Sequence, residues 1–331
     1  MHSKKFLVVL LLVMTLSLTG CTKYVENKDG GQVIEETTGQ RLVENILCQP
    51  EDKNVLKAYE DTDVNVDKLP TCPEFVPADG GYEGIWSTIF IKPLSWLIIQ
   101  IGEIVKNYGL AIILVTILIR LIIFPISKKS AMQSEGMKLA SKDLQKLEAK
   151  YRNRQSQQDQ MMKAQEMMNI YKKYNINPMS GCLFAFIQLP LFLAFLESLY
   201  RIPAVFEGHF LVFNLGTSPF TALFGSSFSF DNLIASFGNG NWVYILLPII
   251  VGLTTFFSFK FNSGLSGSNP EQEKQMKMMM NIMMIFITII SFTMSTSIII
   301  YWITGSLFTI IQSAVIRRHV DARNGKKRSK E

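Results

Sequence analysis

The chain has 331 residues and a formal net charge of +6, but charged residues make up only 18% of it and hydrophobic residues make up 48%. The apolar residues are gathered into runs of about twenty, which is the length needed to cross a bilayer core. This distribution excludes a water-soluble protein and indicates a polytopic membrane protein.

The first twenty residues have the pattern of a lipoprotein signal peptide. Two lysines precede an apolar stretch, and the sequence Leu-Thr-Gly stands directly before Cys21. Small residues before a cysteine are typical of the site at which bacterial lipoproteins are cleaved and acylated. We therefore predict removal of residues 1–20 and acylation of Cys21, for example with palmitate. An uncleaved anchor with an incidental cysteine is the alternative.

Residues 21–83 are polar, rich in acidic residues and scattered with Gly and Pro, which predicts an extracellular tether with little core of its own. Cys48 and Cys72 could form a disulfide that closes a loop of about 25 residues, but the unknown redox state outside the cell leaves this open. No CxxC or Cys/His cluster with metal-ligand spacing occurs in the sequence. We therefore predict neither a metal nor a cofactor.

Residues 84–107 contain an apolar stretch that is interrupted by Lys92, Gln100 and Glu103. These interruptions favour an amphipathic helix that lies in the membrane interface. A transmembrane helix is the alternative, because two tryptophans could flank an inserted segment.

The remainder of the chain contains five predicted transmembrane spans, at residues 108–127, 180–200, 242–260, 278–297 and 299–317. Lys and Arg are concentrated in the three segments that would be cytoplasmic, which are residues 128–179, 261–277 and 318–331. The opposite loop, 201–241, has Arg201 as its one Lys or Arg. The positive-inside rule thus places the N-terminus outside the bacterial plasma membrane and the C-terminus in the cytoplasm, in agreement with the lipoprotein signal.

The apolar pattern of residues 128–179 predicts a cytoplasmic hairpin of two helices with coiled-coil packing. Apolar residues recur at intervals of three and four in two stripes, Met137, Ala140, Leu144, Leu147 and Tyr151 in the first and Met161, Ala164, Met168 and Tyr171 in the second. Antiparallel helices joined by the polar turn at 153–157 would bury these stripes against each other. The methionines could instead offer an adaptable surface to nascent chains, but we favour ordinary packing.

The loop 201–241 is rich in phenylalanine, and we expect it to lie on the outer membrane surface. The tail 318–331 is basic enough to meet anionic lipid or ribosomal RNA, although we favour a topological anchor. Membrane lipids are therefore expected partners of the loop.

Arg120 is the single charged residue in the run 108–126. At about 1.5 Å per residue it lies roughly 12 Å from Lys128, and hence well inside the bilayer. Arginine near the middle of a membrane helix costs about 2.5–3.5 kcal/mol and cannot lose its proton, so it normally faces water or an acidic partner. A structural ion pair or a side chain that extends to the interface is the alternative.

No group of residues suited to catalysis accompanies Arg120. The three histidines lie outside the predicted spans, and Glu197 is the one acidic residue inside them. The HExxH, GxSxG and phosphate-loop patterns are absent from the sequence. We predict that the protein is not an enzyme and has no small-molecule substrate.

Four stretches of the chain together carry a resemblance to a known family. They are Thr116–Pro125, Tyr171–Cys182, Gln188–Phe192, and Tyr301–Trp302 with Gln312. In this order they resemble the YidC/Oxa/Alb membrane insertases in their Gram-positive lipoprotein form, over roughly residues 84–318. Two departures are that Ser306 stands where the family often has Asn, and that Ser295 and Ser297 stand where it often has Pro-x-Gly.

The resemblance implies an all-α membrane protein with five transmembrane helices around a hydrophilic groove that is open to the cytoplasm. Arg120 would lie on the groove wall. Thr116, Gln188, Phe192 and Trp302 would be its neighbours or the surface along which a substrate slides. Simpler explanations stand beside these roles, because Thr116 could bond its own backbone, Gln188 could join two helices and the aromatic rings could meet lipid.

The function implied is an insertase and chaperone for membrane proteins, which acts alone or beside the Sec translocon. Nascent membrane proteins would be its substrates and the ribosome a docking partner. A secondary transporter or channel for a small anion is the main alternative, although no internal repeat is visible. A purely structural scaffold is the third possibility.

Overall fold

The computed structural model describes residues 23–26, 31–35, 38–60, 62–154, 156–177, 180–225, 228–262 and 270–328. The predicted signal peptide and Cys21 lie outside these residues. The chain forms two compact units, the first from Met1–Ile119, Gln188–Val251 and Thr288–Thr304 and the second from Arg120–Ile187, Gly252–Ile287 and Gly305–Glu331.

Helices dominate the part of the chain that the structure describes. The first half contains α1 (Lys53–Glu60), α2 (Lys92–Val105), α3 (Tyr108–Ile122), α4 (Phe124–Tyr151) and α5 (Gln157–Lys173). A π-helical turn at Ser87–Ile91 leads into α2, and 3-10 turns lie at Val66–Lys68 and Cys72–Glu74.

The second half continues with α6 (Ser180–Tyr200), α7 (Pro203–Phe206), β1 (His209–Phe210), β2 (Phe213–Asn214), α8 (Pro219–Phe224) and α9 (Phe230–Gly238). After a 3-10 turn at Asn241–Ile245 come α10 (Leu246–Asn262), α11 (Pro270–Ser291) and α12 (Thr296–Arg328). Strands β1 and β2 pair antiparallel, with His209 opposite Asn214.

Three stretches of helix in the described residues are long and apolar enough to cross a membrane, namely Ser87–Val105, Asn241–Phe261 and Thr296–Arg318. A fourth is obtained if α3 and α4 are counted as one broken span. Shorter apolar helices lie at Gln188–Tyr200 and Lys277–Ser291. The protein is therefore a multi-pass membrane protein. Ser87–Val105 falls within the segment predicted to be interfacial, and its length and composition also fit the transmembrane alternative.

Local chemistry explains where several helices begin and end. Lys106 adopts a left-handed conformation with φ of 54° at the end of α2, and its N–H donates to the carbonyl of Gly102. The side chain of Asn107 then accepts a hydrogen bond of 2.9 Å from the N–H of Leu110 and so caps α3. At the start of α5, the hydroxyl of Ser156 accepts from the N–H of Asp159 at 3.1 Å.

The described residues between 23 and 83 have a hydrophobic core, which corrects the prediction of a tether with little core. Leu42, Val43, Tyr59 and Phe206 are buried together, and the Tyr59 hydroxyl donates to the Val43 carbonyl at 2.8 Å. Burial raises the pKa of the Tyr59 hydroxyl above its ordinary value. Composition did not indicate this core, because its few apolar residues are scattered among polar ones and Phe206 comes from a distant part of the chain.

A disulfide also stabilises this N-terminal segment. Cys48 and Cys72 are bonded to each other and both are buried. They lie beside Phe75 and Trp86 in the main hydrophobic core of the first unit. The structure thus resolves the question that the sequence left open.

Helices α4 and α5 pack against each other as a helix pair within the second unit. Ala140, Leu144, Leu147 and Tyr151 are buried, as the first stripe predicted. In the second stripe Tyr171 packs inward as predicted, but the prediction was wrong for Met161, Ala164 and Met168, which are exposed. Met161 is 70% exposed and Met168 51% exposed, and the residues of α5 that pack inward are Met167, Ile170, Tyr171 and, just beyond its end, Tyr174.

Ion pairs explain why the packed face of α5 differs from its methionine stripe. Lys163 pairs with Glu148 at 2.6 Å, and Glu166 pairs with Lys150 at 2.6 Å. Charged residues can therefore face the partner helix, because each meets an opposite charge there. A pattern search restricted to apolar residues excludes such positions and selects a neighbouring face.

Candidate functional site

Arg120 lies in the last turn of α3, and its position on that helix distinguishes it from its neighbours. It is only 8% exposed, whereas Leu118, Leu121 and Ile122 are exposed apolar residues. A side chain that extended to the interface would be exposed in the same way. The arginine instead lies among protein atoms, on the face of α3 that is turned away from the exposed apolar surface.

The guanidinium of Arg120 lies against the backbone of α12 at Gly305, within the second unit. A Cβ added to Gly305 would be 2.7 Å from Nη2 of Arg120. The hydroxyl of Thr309 donates to the carbonyl of Gly305 at 2.9 Å, within the next turn of the same helix. Arg120 is thus closely packed against α12 at Gly305.

A second polar contact joins the same parts of the chain. Nε2 of Gln312 donates to Oγ of Ser127 at 3.0 Å, and Ser127 in turn lies 3.3 Å from Oε1 of Gln312. Ser127 is buried and Gln312 is half-buried. Within membrane proteins such side-chain hydrogen bonds hold helices together, so the pair helps to fix α12 beside the start of α4.

Thr116 is 1% exposed, and its hydroxyl donates to the carbonyl of Ile112 at 2.6 Å. The simpler explanation given for Thr116, a bond to its own backbone, therefore accounts for the hydroxyl proton. The oxygen keeps a lone pair with which it can accept a hydrogen bond.

Aromatic rings from α6 and α12 meet in the first unit. The Phe192 ring meets the Trp302 ring edge-on, with their centroids 5.2 Å apart. Phe195 stacks on Tyr301, with their ring centroids 4.2 Å apart. Phe195 and Tyr301 are buried, whereas Phe192 and Trp302 are half-buried. The structure thus brings Phe192 and Trp302 into contact and leaves part of each ring accessible.

The predicted site residues are divided between the two units. Thr116, Gln188, Phe192 and Trp302 belong to the first unit, and Arg120 belongs to the second. Gln188 is half-buried.

The first unit also contains a buried network of charges centred on Arg201. The Arg201 guanidinium lies 2.5 Å from Oε2 of Glu83 and 3.8 Å from Oε1 of Glu197. It also donates to Oγ of Ser87 at 2.8 Å and to the carbonyl of Asn45 at 2.6 Å. Arg201 itself is fully buried. The network therefore joins the N-terminal segment to the end of α6.

Lys92 extends this network at the start of α2. Its ammonium donates to the carbonyls of Asp79 and Gly81, each at 2.6 Å, and lies 3.4 Å from Glu83. Burial alone would raise the pKa of Glu83, but the neighbouring Arg201 and Lys92 charges lower it below its ordinary value. Glu83 is therefore held as a carboxylate between two cations.

Three members of this network stand out in the sequence, each for a separate reason. Glu197 is the one acid within the predicted spans, Arg201 is the one Lys or Arg in its loop, and Lys92 interrupts an apolar run. The i,i+4 spacing of Glu197 and Arg201 was a usable signal. Their partner Glu83 is 118 positions from Arg201 in the chain, and no local pattern points to it.

Comparison with known proteins gives a consistent result. Residues 100–324 match the family model described as 60Kd inner membrane protein. The membrane protein insertase YidC of Oceanobacillus iheyensis is 31% identical over 261 residues, covering 77% of this chain and 93% of that protein. The insertase MisCA of Bacillus subtilis is 33% identical, covering 70% of this chain and 79% of its own. The chain belongs to the YidC family.

A further relative agrees with this assignment. The insertase YidC of Alkalihalophilus pseudofirmus is 33% identical, covering 72% of this chain and 84% of that protein. A solved structure described as an active YidC insertase with its first transmembrane domain resolved aligns with a TM-score of 0.42 at 22% identity, covering 79% of this chain and 52% of that one. The family match begins at residue 100, so most of the N-terminal segment lies outside it.

Proposed function

We propose that this YidC family member is a membrane protein insertase and chaperone in which the fixed charge of Arg120 receives acidic residues of an inserting chain. The observation that carries the proposal is the burial of Arg120 on a helix whose neighbouring residues are exposed and apolar. An arginine in such a helix is costly unless it has a function or a partner within the protein.

The proposed path is a hydrophilic groove surrounded by five transmembrane helices, open to the cytoplasm and closed on the outer side. Arg120 lies on its wall, and Thr116 and Gln188 contribute polar groups nearby. Thr116 lies one helical turn from Arg120 in sequence, which supports a shared face. The lone pair of the Thr116 hydroxyl and the amide of Gln188 would provide hydrogen bonds to a substrate's backbone.

The energetics of insertion favour such a groove. A substrate's tail must cross about 30 Å of hydrocarbon, where each unpaired polar group costs several kcal/mol. A polar path shortens the apolar distance, and a positive charge attracts Asp or Glu in the tail. A membrane potential that is positive outside adds about 2.3 kcal/mol per charge per 100 mV and draws an acidic tail outward.

Phe192 and Trp302 would form the surface along which apolar segments leave for the lipid. Their edge-on contact and partial exposure support this role, because such rings present a rigid apolar face. An apolar substrate segment can slide over them without losing hydrogen bonds.

The topology proposed for this function has the N-terminus outside and the C-terminus in the cytoplasm. Cys21 would carry the lipid anchor, and the helix pair α4–α5 would project into the cytoplasm as a coiled-coil hairpin. Residues 84–107 would lie at the outer interface. Nascent membrane proteins would arrive from the ribosome, and the protein would act alone or together with the Sec translocon.

Reconstitution tests the proposal. The purified full chain would be placed in liposomes with a potential positive outside, and insertion of a one-span substrate with an acidic tail would be measured by protease protection. Arg120→Ala should abolish insertion, whereas Arg120→Lys should largely preserve it because the site requires a positive charge. A matched substrate with Asn and Gln in its tail serves as the control. Equal activity of all three proteins on the acidic substrate would reject the charge mechanism.

A further inference from the structure

Gly305 and Arg120 approach each other in a way that depends on glycine having no side chain. A Cβ at position 305 would lie 2.7 Å from Nη2 of Arg120, 3.5 Å from Cζ and 3.6 Å from Nε. The first distance is shorter than real Cβ contacts allow. The guanidinium therefore occupies the space that a side chain at position 305 would fill.

Backbone conformation does not explain this glycine. Gly305 lies inside the 33-residue helix α12 and does not adopt a positive φ. Glycine is among the least favourable residues in a helix interior, because it loses the most conformational freedom there. Close approach of two helix backbones is another common reason for glycine in membranes. At Gly305, however, the three nearest atoms all belong to the Arg120 guanidinium.

We propose that Gly305 is a positioning residue for Arg120, which keeps the guanidinium against the backbone of α12 and thereby sets where its charge meets an acidic substrate side chain. This inference rests on the function proposed above. A larger residue at position 305 displaces the guanidinium, and the charge remains in the protein but at a different place.

A substitution of Gly305 should affect function more than folding, because of what the new side chain would meet. The atom that a new methyl group would meet is the far end of a long and flexible side chain. The arginine can rotate away, so the fold tolerates the change, and alanine is the better helix former. Gly305→Ala should therefore leave thermal stability equal or raised while it lowers insertion of acidic substrates, and Gly305→Val should lower insertion further.

The test compares insertion rates in liposomes for two substrates that differ only in their tails, one with Asp and Glu and the other with Asn and Gln. Gly238 provides the matched control, because a Cβ there meets nothing within 4 Å. We expect Gly305→Val to lower the ratio of acidic to neutral insertion about tenfold, which is within the range of coupling between residues in contact. Gly238→Val should leave the ratio unchanged.

The decisive measurement is the same substitution in the Arg120→Lys background. The lysine ammonium is compact and flexible, and it does not need the planar space beside Gly305. The effect of Gly305→Val on the ratio should therefore shrink to about twofold or less in that background. An undiminished loss there, or an equal loss for both substrates, would show that Gly305 acts on packing and would overturn the inference.

The two proposals can fail separately. A ratio that Arg120→Ala leaves unchanged would reject the charge mechanism and, with it, the role of Gly305. A ratio that falls with Arg120→Ala but is unaffected by both Gly305 variants would reject the positioning role alone. If Gly305→Val does not fold, the same ratio is measured for Gly305→Ala, which should be lower than that of the unsubstituted protein.

Discussion

The fully buried guanidinium of Arg201 pairs at 2.5 Å with the partly exposed carboxylate of Glu83, although the two residues are 118 positions apart in the chain. Arg201 directly follows the last residue of α6, and Glu83 lies just before the π-helical turn that leads into α2. Their contact attaches the N-terminal segment to the helical part of the first unit. The N-terminal segment, which its composition describes as an acidic tether, is thus held in place by one of its acidic residues, Glu83.

Removing the charge of Glu83 should destabilise this attachment. Glu83→Gln leaves the buried Arg201 with a neutral and weaker partner, which costs on the order of 1–3 kcal/mol. Hydrogen exchange of residues 38–60 in the full chain should become faster. Glu103→Gln is the control, because the exposed pair Glu103–Lys106 contributes less than about 1 kcal/mol. Identical exchange in both variants would contradict the prediction.

The same carboxylate should make the stability of the N-terminal segment depend on pH. The pKa of Glu83 is lowered from its ordinary value of 4.5, because Arg201 and Lys92 together outweigh the effect of burial. A group with a lowered folded-state pKa contributes stability above its unfolded pKa and loses it as the pH falls through the folded value. We expect the protection of residues 38–60 from exchange, relative to an unfolded chain at the same pH, to fall as the pH drops below 4.5. Glu83→Gln should remove this part of the dependence, and an unchanged pH profile would exclude Glu83 as its source.

Features that depend on a local pattern were predictable from the sequence. Arg120 stood out as the single charge in an apolar run, and the packed face of α4 followed from the spacing of Leu144 and Leu147. The N-terminal core was not predictable in this way, because Tyr59 and Phe206 meet only after long loops have closed. Gly305 gave no signal either, since one glycine in a membrane helix has many explanations until its neighbour is known.

The packed face of α4 can be tested with two leucines of the same helix. Leu144 is fully buried, whereas Leu139 is 47% exposed. Leu144→Ala should destabilise the helix pair α4–α5 by about 2–4 kcal/mol through lost burial and a cavity. Leu139→Ala should change it by less than about 0.5 kcal/mol. Amide exchange of residues 140–173 reports both values, and similar rates for the two variants would mean that the faces are assigned wrongly.

The disulfide should contribute strongly to the N-terminal segment. Cys48 and Cys72 are separated by 24 positions, and closing a loop of this size stabilises a folded segment by roughly 3 kcal/mol. Cys48→Ser should therefore make residues 49–83 more sensitive to protease in detergent. Reducing agent should reproduce the effect in the unsubstituted protein and add nothing to the variant. Protease resistance that is insensitive to both treatments would show that the remaining core suffices.

The exposed apolar face of α9 should lie in the membrane interface. Phe230, Ile234 and Phe237 follow each other at helical spacing and are all more than 60% exposed, and the chain continues directly into the exposed apolar surface of α10. Burying each of these side chains in lipid is favourable by about 1.5–3 kcal/mol. Residues 202–241 contain no Lys or Arg, so this contact should not require anionic lipid.

Spin labels can measure the depth of this face in liposomes of phosphatidylcholine alone. A label at Phe237→Cys, in a Cys182→Ser background, should collide with oxygen more than with a water-soluble nickel chelate. Ala235→Cys, which lies on the polar side of the same helix, should show the reverse. The two labels are a fair comparison because Ala235 and Phe237 lie close together along the axis of α9 but point to nearly opposite sides of the helix. High access of the chelate to both labels would place the whole helix in water and would contradict the prediction.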